Sequence, residues 1–154
     1  MKNLLKLAVF LLIFSGVAST CNPEPDKEYP QNISFTEYSL AETSCQWVNL
    51  PYDDKVLMIN SNEELENYIS CAEDSYPKID FSKHTLLLAS GICKSGISNS
   101  VAEKLKQLEL KHYELEIALI PNMLAVETPW KVTIIIDKID ANSMIDLKTY
   151  FKNM

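Results

Sequence analysis

The chain has 154 residues, 47% hydrophobic, 23% charged and 9% aromatic, which is an ordinary globular composition and excludes a wholly disordered, collagen-like or coiled-coil chain. Its net charge is −7 and it has no arginine, so nucleic acid and anionic membrane surfaces are poor partners for it. Once a leader is set aside, about 134 residues remain, enough for one domain with a real core and too few for two multi-stranded ones.

Residues 1–20 have the three parts of a secretory signal. Lys2 and Lys6 form the basic start, residues 7–14 are an unbroken apolar run, and small residues lead up to Cys21. The run is about half of what spans a bilayer, so a transmembrane anchor is not expected. Lys2 and Lys6 are the only charges in the leader, so the remainder carries about −9. Cys21, followed by Asn22-Pro23-Glu24-Pro25-Asp26, resembles a bacterial lipobox, with Thr20 where a smaller residue is usual. The expectation is a diacylated Cys21 and a lipid anchor in the outer membrane of a bacterial envelope; the alternative is ordinary cleavage and a soluble secreted protein. Two acyl chains hold a protein on a membrane where one does not. Residues 21–32, with Pro23, Pro25 and Pro30 among charges, read as anchor and extended tether. The domain is expected over 33–154.

Along that domain, residues 33–40 alternate loosely and fit an edge strand or more tether. Residues 46–50, with Trp47, read as a short strand ending at Pro51, and Asp53-Asp54 as a turn. Residues 56–59 are a strand apolar on both faces. Ser61-Asn62-Glu63-Glu64 is a capping box, in which Ser61 accepts from the Glu64 amide and the Glu64 carboxylate reaches back. Leu65, Tyr68, Ile69 and Ala72 follow at helical spacing, predicting a helix over 62–72. Residues 85–89 fit a central strand and 91–96 a turn. Residues 97–110 fit either a helix or a strand with a bulge before Leu108. Tyr113, Leu115, Ile117 and Leu119 alternate as a strand that stops at Pro121. Residues 123–126 suggest a short strand, 132–136 a β-branched one and 144–150 the last. The fold class is therefore α+β, a largely antiparallel sheet, sandwich- or barrel-like, with one helix.

If Cys21 carries lipid, Cys45, Cys71 and Cys93 remain, an odd number for an oxidising compartment. One bridge and one free thiol is the economical reading; among the possible pairings Cys45–Cys71, closing a loop of about 27 residues, is the one expected, with Cys93 left as a thiol. Chemistry-bearing patterns are sparse. There is no Cys-x-x-Cys or His-Glu-x-x-His, as zinc would need. Asp80, Ser82 and His84 lie on one short segment and do not make a nucleophile–base geometry. Asp137, Asp140, Asn142 and Asp146 lack the glycine and distal glutamate of an EF-hand loop and read as a solvated turn. His84 and His112 abut strands. Trp47 and Trp130 fit core packing, with exposed anchoring as the alternative. Neither a cofactor nor catalysis is expected.

The run Ile79-Asp80-Phe81-Ser82-Lys83-His84-Thr85-Leu86-Leu87-Leu88-Ala89-Ser90-Gly91 is followed by a turn with Gly96, an alternating segment, Tyr113-Glu114-Leu115-Glu116-Ile117, then Thr128-Pro129-Trp130 and a β-branched strand ending at Lys138. This order resembles the C-terminal domain of the protease complex subunit PrcB family, and also small envelope lipoproteins of Gram-negative gut anaerobes, over roughly residues 77–139. The turn reads Lys94-Ser95-Gly96-Ile97 where that family carries a Thr-Gly-Gly-Tyr-like sequence, and Trp130 stands where a tyrosine is common. The resemblance implies a strand over 97–109 and a non-catalytic accessory or inhibitory domain working with an envelope protease. The contact surface expected from it is Cys93, Lys94, Ser95, Gly96 and Trp130. A second expectation is a glycan- or small-molecule-binding lipoprotein of an uptake system, with Tyr52, Tyr76 and Trp47 stacking on sugars. A third, nucleophilic catalysis by Cys93, would require a reactive thiol.

Overall fold

The computed structural model describes residues 28–73 and 75–152. The leader, Cys21 and residues 22–27 lie outside the described residues. Ten strands and one helix follow in the order β1 (Gln31–Ile33), β2 (Thr36–Glu37), β3 (Cys45–Trp47), β4 (Lys55–Ile59), α1 (Asn62–Glu66), β5 (Ile69–Cys71), β6 (His84–Cys93), β7 (Ile97–Glu109), β8 (His112–Pro121), β9 (Thr128–Asp137) and β10 (Met144–Phe151). The fold is β-rich α+β. One sheet has the order β1-β7-β8-β10, a second β2-β9-β6-β4, and β3-β5 form a separate ribbon.

The second sheet is the middle of three layers. Side chains alternate between faces along a strand, so Leu87 and Ala89 of β6 point at the first sheet, among Leu115, Ile117, Ile134 and Ile136. Leu86 and Leu88 point the other way, onto Leu65, Ile69, Tyr38 and Ile59 beneath the helix and ribbon. A strand covered on both faces has no polar phase, which is why Thr85 is followed by an unbroken apolar run over residues 86–89. The outer face of the first sheet is open, and the charges gather there. Glu116 lies 2.5 Å from the Lys106 ammonium and 3.6 Å from that of Lys148. The hydrogen bond from Lys106 holds the Glu116 carboxyl below the usual carboxylate range.

The pairing is antiparallel except between β8 and β10. The chain leaves β8, reverses into β9 of the other sheet and reverses again into β10, so two turns restore the direction of β8. Residues 31–37 serve both sheets: β1 lies on the β7 edge opposite 105–107, and β2 on the β9 edge opposite Ile134 and Ile135. Both edge strands stop short, leaving the nearer parts of β7 and β9 uncovered.

The helix is shorter than its periodicity predicts. Ser61 Oγ accepts from the Glu64 amide at 3.1 Å, and the Glu64 carboxylate takes the Asn60 amide at 2.7 Å, so the cap forms with its return bond shifted one residue. Asn67 then ends the helix by donating its side-chain amide to the carbonyls of Glu63 and Glu64. Ile69 and Cys71 belong to β5 instead, paired with Trp47 and Cys45, and the Cys45–Cys71 disulfide closes that ladder. Leu65 and Ile69 are both buried as their spacing suggests, but on different elements, and Ala72 is exposed. A cross-link and a ladder outweigh local helical periodicity over so few residues. Ser61→Ala should cost about 1 kcal/mol, read as a lower urea midpoint at unchanged slope.

Two further expectations are corrected. Residues 91–96 are not one turn: β6 runs to Cys93, and only 94–96 turn. Gly91 is a mid-strand glycine because Trp130 lies on it; an added Cβ would come within 2.7 Å of the indole. Residues 123–126 form a loop, not a strand. The 97–109 segment is a strand, with register breaks at 97/99, 102/104 and 107/109. The last of these is the bulge expected near Leu108. The first two shift the phase, so Ala102 joins Leu105 in the core while Val101 does not.

Candidate functional site

The residues singled out around the 93–96 turn divide between interior and surface. Cys93 is opposite Thr128 and Gly91 opposite Trp130 on the β6–β9 ladder. The Cys93 thiol and the Trp130 indole are 6% and 4% exposed and belong to the core between the two large sheets. Gly96 is buried as well. Its amide donates to the Leu124 carbonyl at 2.8 Å, and the Asn122 amide donates to its carbonyl at 3.0 Å. These bonds fasten the turn to the 122–127 loop and leave Lys94 and Ser95 as its exposed side chains.

Alongside Lys94 and Ser95 stand exposed apolar residues that sequence reasoning did not pick out: Ile92, Met123, Leu124 and Val126. The phase of β6 contained the signal for Ile92. It follows Leu86, Leu88 and Ser90 on the face covered by helix and ribbon, but it lies beyond their reach and is 48% exposed. Likewise Trp130 is in phase with Val132, Ile134 and Ile136, and Cys93 with Leu87 and Ala89, so alternation directs both inward. Exposed apolar side chains gathered at one end of a domain are a common mark of an interaction surface. This apolar end lies at the start of β7, whereas the chain enters at Gln31 opposite Gln107 near the end of β7. At about 3.3 Å per residue the two are separated by roughly 30 Å.

A second feature is a cleft of about 500 Å³ between the ribbon side of the molecule and the β9 edge. Trp47 and Tyr52 form one wall, and Glu37, Gln46 and Lys131 contribute to the rest. Trp47 is held edge-on against Tyr38, with ring centroids 6.0 Å apart. The Tyr38 hydroxyl donates to the Pro77 carbonyl at 2.8 Å, and burial, with Tyr76 nearby, pushes its pKa up to about 12, so it remains a donor at neutral pH. Of the three aromatics expected to stack on a ligand, Trp47 and Tyr52 meet in this cleft. Tyr76 does not: it is buried, donates to the Glu66 carboxylate at 3.3 Å and lies under the Lys78 ammonium.

The polar groups considered for chemistry are occupied structurally. Ser82 Oγ donates to Asp80 at 2.5 Å, while His84 faces Asp137 at 3.9 Å. Asp140 binds the Lys111 ammonium at 2.6 Å and the Asn142 amide at 2.8 Å. The hydrogen bond from Lys111 keeps its carboxyl below the usual range. Asp146 pairs with His112 at 2.8 Å. Among the described residues no three His, Cys, Asp or Glu side chains come together as a metal site, and no helix is long and apolar enough to cross a membrane.

The fold and its surfaces define a β-rich α+β domain: a two-sheet sandwich, backed by a disulfide-closed ribbon, with an apolar end and an aromatic cleft. Comparison with protein-family models, curated proteins and solved structures finds no match.

Proposed function

We propose that this chain is a non-enzymatic lipoprotein, tethered to the outer membrane through Cys21, that docks onto an envelope protein. The resemblance over residues 77–139 makes an envelope protease or its complex the preferred partner. The observation that carries this reading is the exposure of Met123, Leu124 and Val126 on the loop that the Gly96 backbone bonds fasten to the 94–96 turn, with the exposed Ile92 of β6 two residues before that turn. Its position far from the tether's entry would present it away from the anchoring membrane. Lys94 and Ser95 supply a polar rim, and the buried Trp130 and Cys93 support the surface from beneath without touching the partner.

The test is crosslinked affinity purification of the tagged lipoprotein from its native envelope, with Cys21→Ala and Met123→Ser/Leu124→Ser variants. Recovery of one protease, lost in the loop variant at unchanged melting temperature, supports the assignment. Exposed apolar anchors of this kind are worth about 1–2 kcal/mol each, so capture should fall by roughly tenfold or more. Undiminished capture by the loop variant removes the surface, and an envelope-bound Cys21→Ala protein removes the tether.

A further inference from the structure

We propose that the cleft beside Trp47 and Tyr52 is a binding site for a neutral saccharide, distinct from the apolar docking end and independent of it. Its volume of about 500 Å³ falls within the roughly 300–1,000 Å³ of clefts that enclose small organic ligands. Its walls differ in the way a sugar ring differs between face and rim. Trp47, Leu50 and Tyr52 offer apolar and aromatic surface to a C–H face. Glu37, Gln46 and Lys131 offer an acceptor, an amide and donors to hydroxyls. Among the described residues these three side chains have no hydrogen-bond or ion-pair partner, whereas Lys106, Lys111 and Lys152 are each paired. One carboxylate and one ammonium leave the lining without net charge, which selects a neutral polyhydroxylated ligand over an anionic one.

The aromatic wall includes one unusual backbone position. Asn49 and Asp54 take the left-handed turn conformation common for Asn and Asp, with φ of 54° and 56°, but Tyr52 also has positive φ, at 51°, a region that an aromatic residue seldom occupies. Such strain persists only where the surroundings over-determine it, and it clusters at ligand sites. Here the buried Ser90 receives the Tyr52 amide on its hydroxyl at 3.2 Å and the Asp54 amide on its carbonyl at 3.1 Å. Gly91, lacking a Cβ, leaves room for the Asp54 carboxylate beside it. Ser90 and Gly91 are thus positioning residues that set Tyr52 at the cleft.

The other occupant a strand edge invites is an extended peptide, and this edge is closed to one. Pro129 has no amide to donate. The Ser100 amide is taken by Asn99 Oδ1 at 2.8 Å. The Lys131 carbonyl accepts the Ser100 hydroxyl at 3.0 Å, and the Thr133 carbonyl accepts the Tyr38 amide at 3.0 Å. With little backbone left to pair, the cleft suits a compact ligand better than an added strand.

The experiment is saturation-transfer NMR and tryptophan fluorescence on the folded domain, with maltotriose, cellotriose, chitotriose and mannotriose at millimolar concentration. At least one trisaccharide should bind. Tyr52→Ala, a half-exposed position, should weaken it by roughly tenfold, on the scale of losing one aromatic anchor. Trp47→Phe should retain part of the affinity that Trp47→Ala loses. Met123→Ser/Leu124→Ser should bind as the parent does, which separates this site from the docking end. Absence of binding by all four sugars overturns the proposal, as does binding undiminished in Tyr52→Ala. Should Trp47→Ala fail to fold, the Tyr52→Ala result decides alone.

Discussion

Cutting the Cys45–Cys71 bridge should cost about 3–4 kcal/mol, the largest effect of any covalent change in the described fold. The two cysteines are 26 positions apart, and closing a loop of that length removes chain entropy of this order from the unfolded state. The folded state has reason to depend on it too. The β3–β5 ribbon has only three residue pairs, and an isolated two-stranded ribbon is marginal in water. This ribbon also carries Trp47 and contributes Cys45 and Ile69 to the cover over Leu86 and Leu88. A Cys45→Ser/Cys71→Ser variant should melt roughly 10–20 °C lower for a domain of this size, and thiol reductant should bring the parent protein down to meet it. The buried Cys93 should not exchange with the bridge while the protein is folded. A loss under 1 kcal/mol would show that the unfolded chain is already restrained around residues 45–71.

Leu86→Ala and Leu87→Ala should each cost about 2–5 kcal/mol, while Leu110→Ala should cost under about 0.5 kcal/mol. Leu86 and Leu87 are adjacent and both fully buried, whereas Leu110 is mostly exposed at the β7–β8 turn. Neighbours on one strand point to opposite faces, so a two-layer protein would bury only one of them. Equal costs at both positions are the signature of a sheet packed on two sides. The losses should differ in where they fall. Leu87→Ala opens a cavity between the two sheets, next to Leu115 and Ile117. Leu86→Ala opens one beneath Leu65 and Ile69, and should speed hydrogen exchange in α1 and the ribbon before it does so in β8. Since a domain of this kind is stable by only about 5–15 kcal/mol, the double variant should be largely unfolded. A negligible cost for either single variant would contradict the three-layer packing.

Local, short-range determinants were readable from the residues alone. The β8 strand shows in Tyr113, Leu115, Ile117 and Leu119 because one of its faces is buried and the other is not, so the period of two survives intact. The Ser61–Glu64 cap shows because all its atoms lie within one turn. One bridge and one thiol is as far as three cysteines read by themselves; that Cys45 meets Cys71 follows from the β3–β5 ladder, while the antiparallel α+β class follows from many β-branched runs around one capped helix. The helix begins at Asn62 as its cap predicts but stops at Glu66, short of residue 72, because Ile69 and Cys71 pair with Trp47 and Cys45, more than twenty positions away. The phase of β7 was obscured by bulges at its start and middle, which place Ala102 inside and Val101 outside.

Alternation, caps and the chemistry each side chain can offer are written in the residues, because these depend on neighbours a few bonds away. That β10 runs parallel to β8, that Ile92 escapes the cover its face otherwise receives, and that Trp47, Tyr52, Glu37 and Lys131 meet around one cleft emerges only once the chain is folded. The physical reason is common to all three. Each depends on how two sheets and a ribbon close over one another, and that closure is set by the summed burial of the whole core rather than by any local pattern.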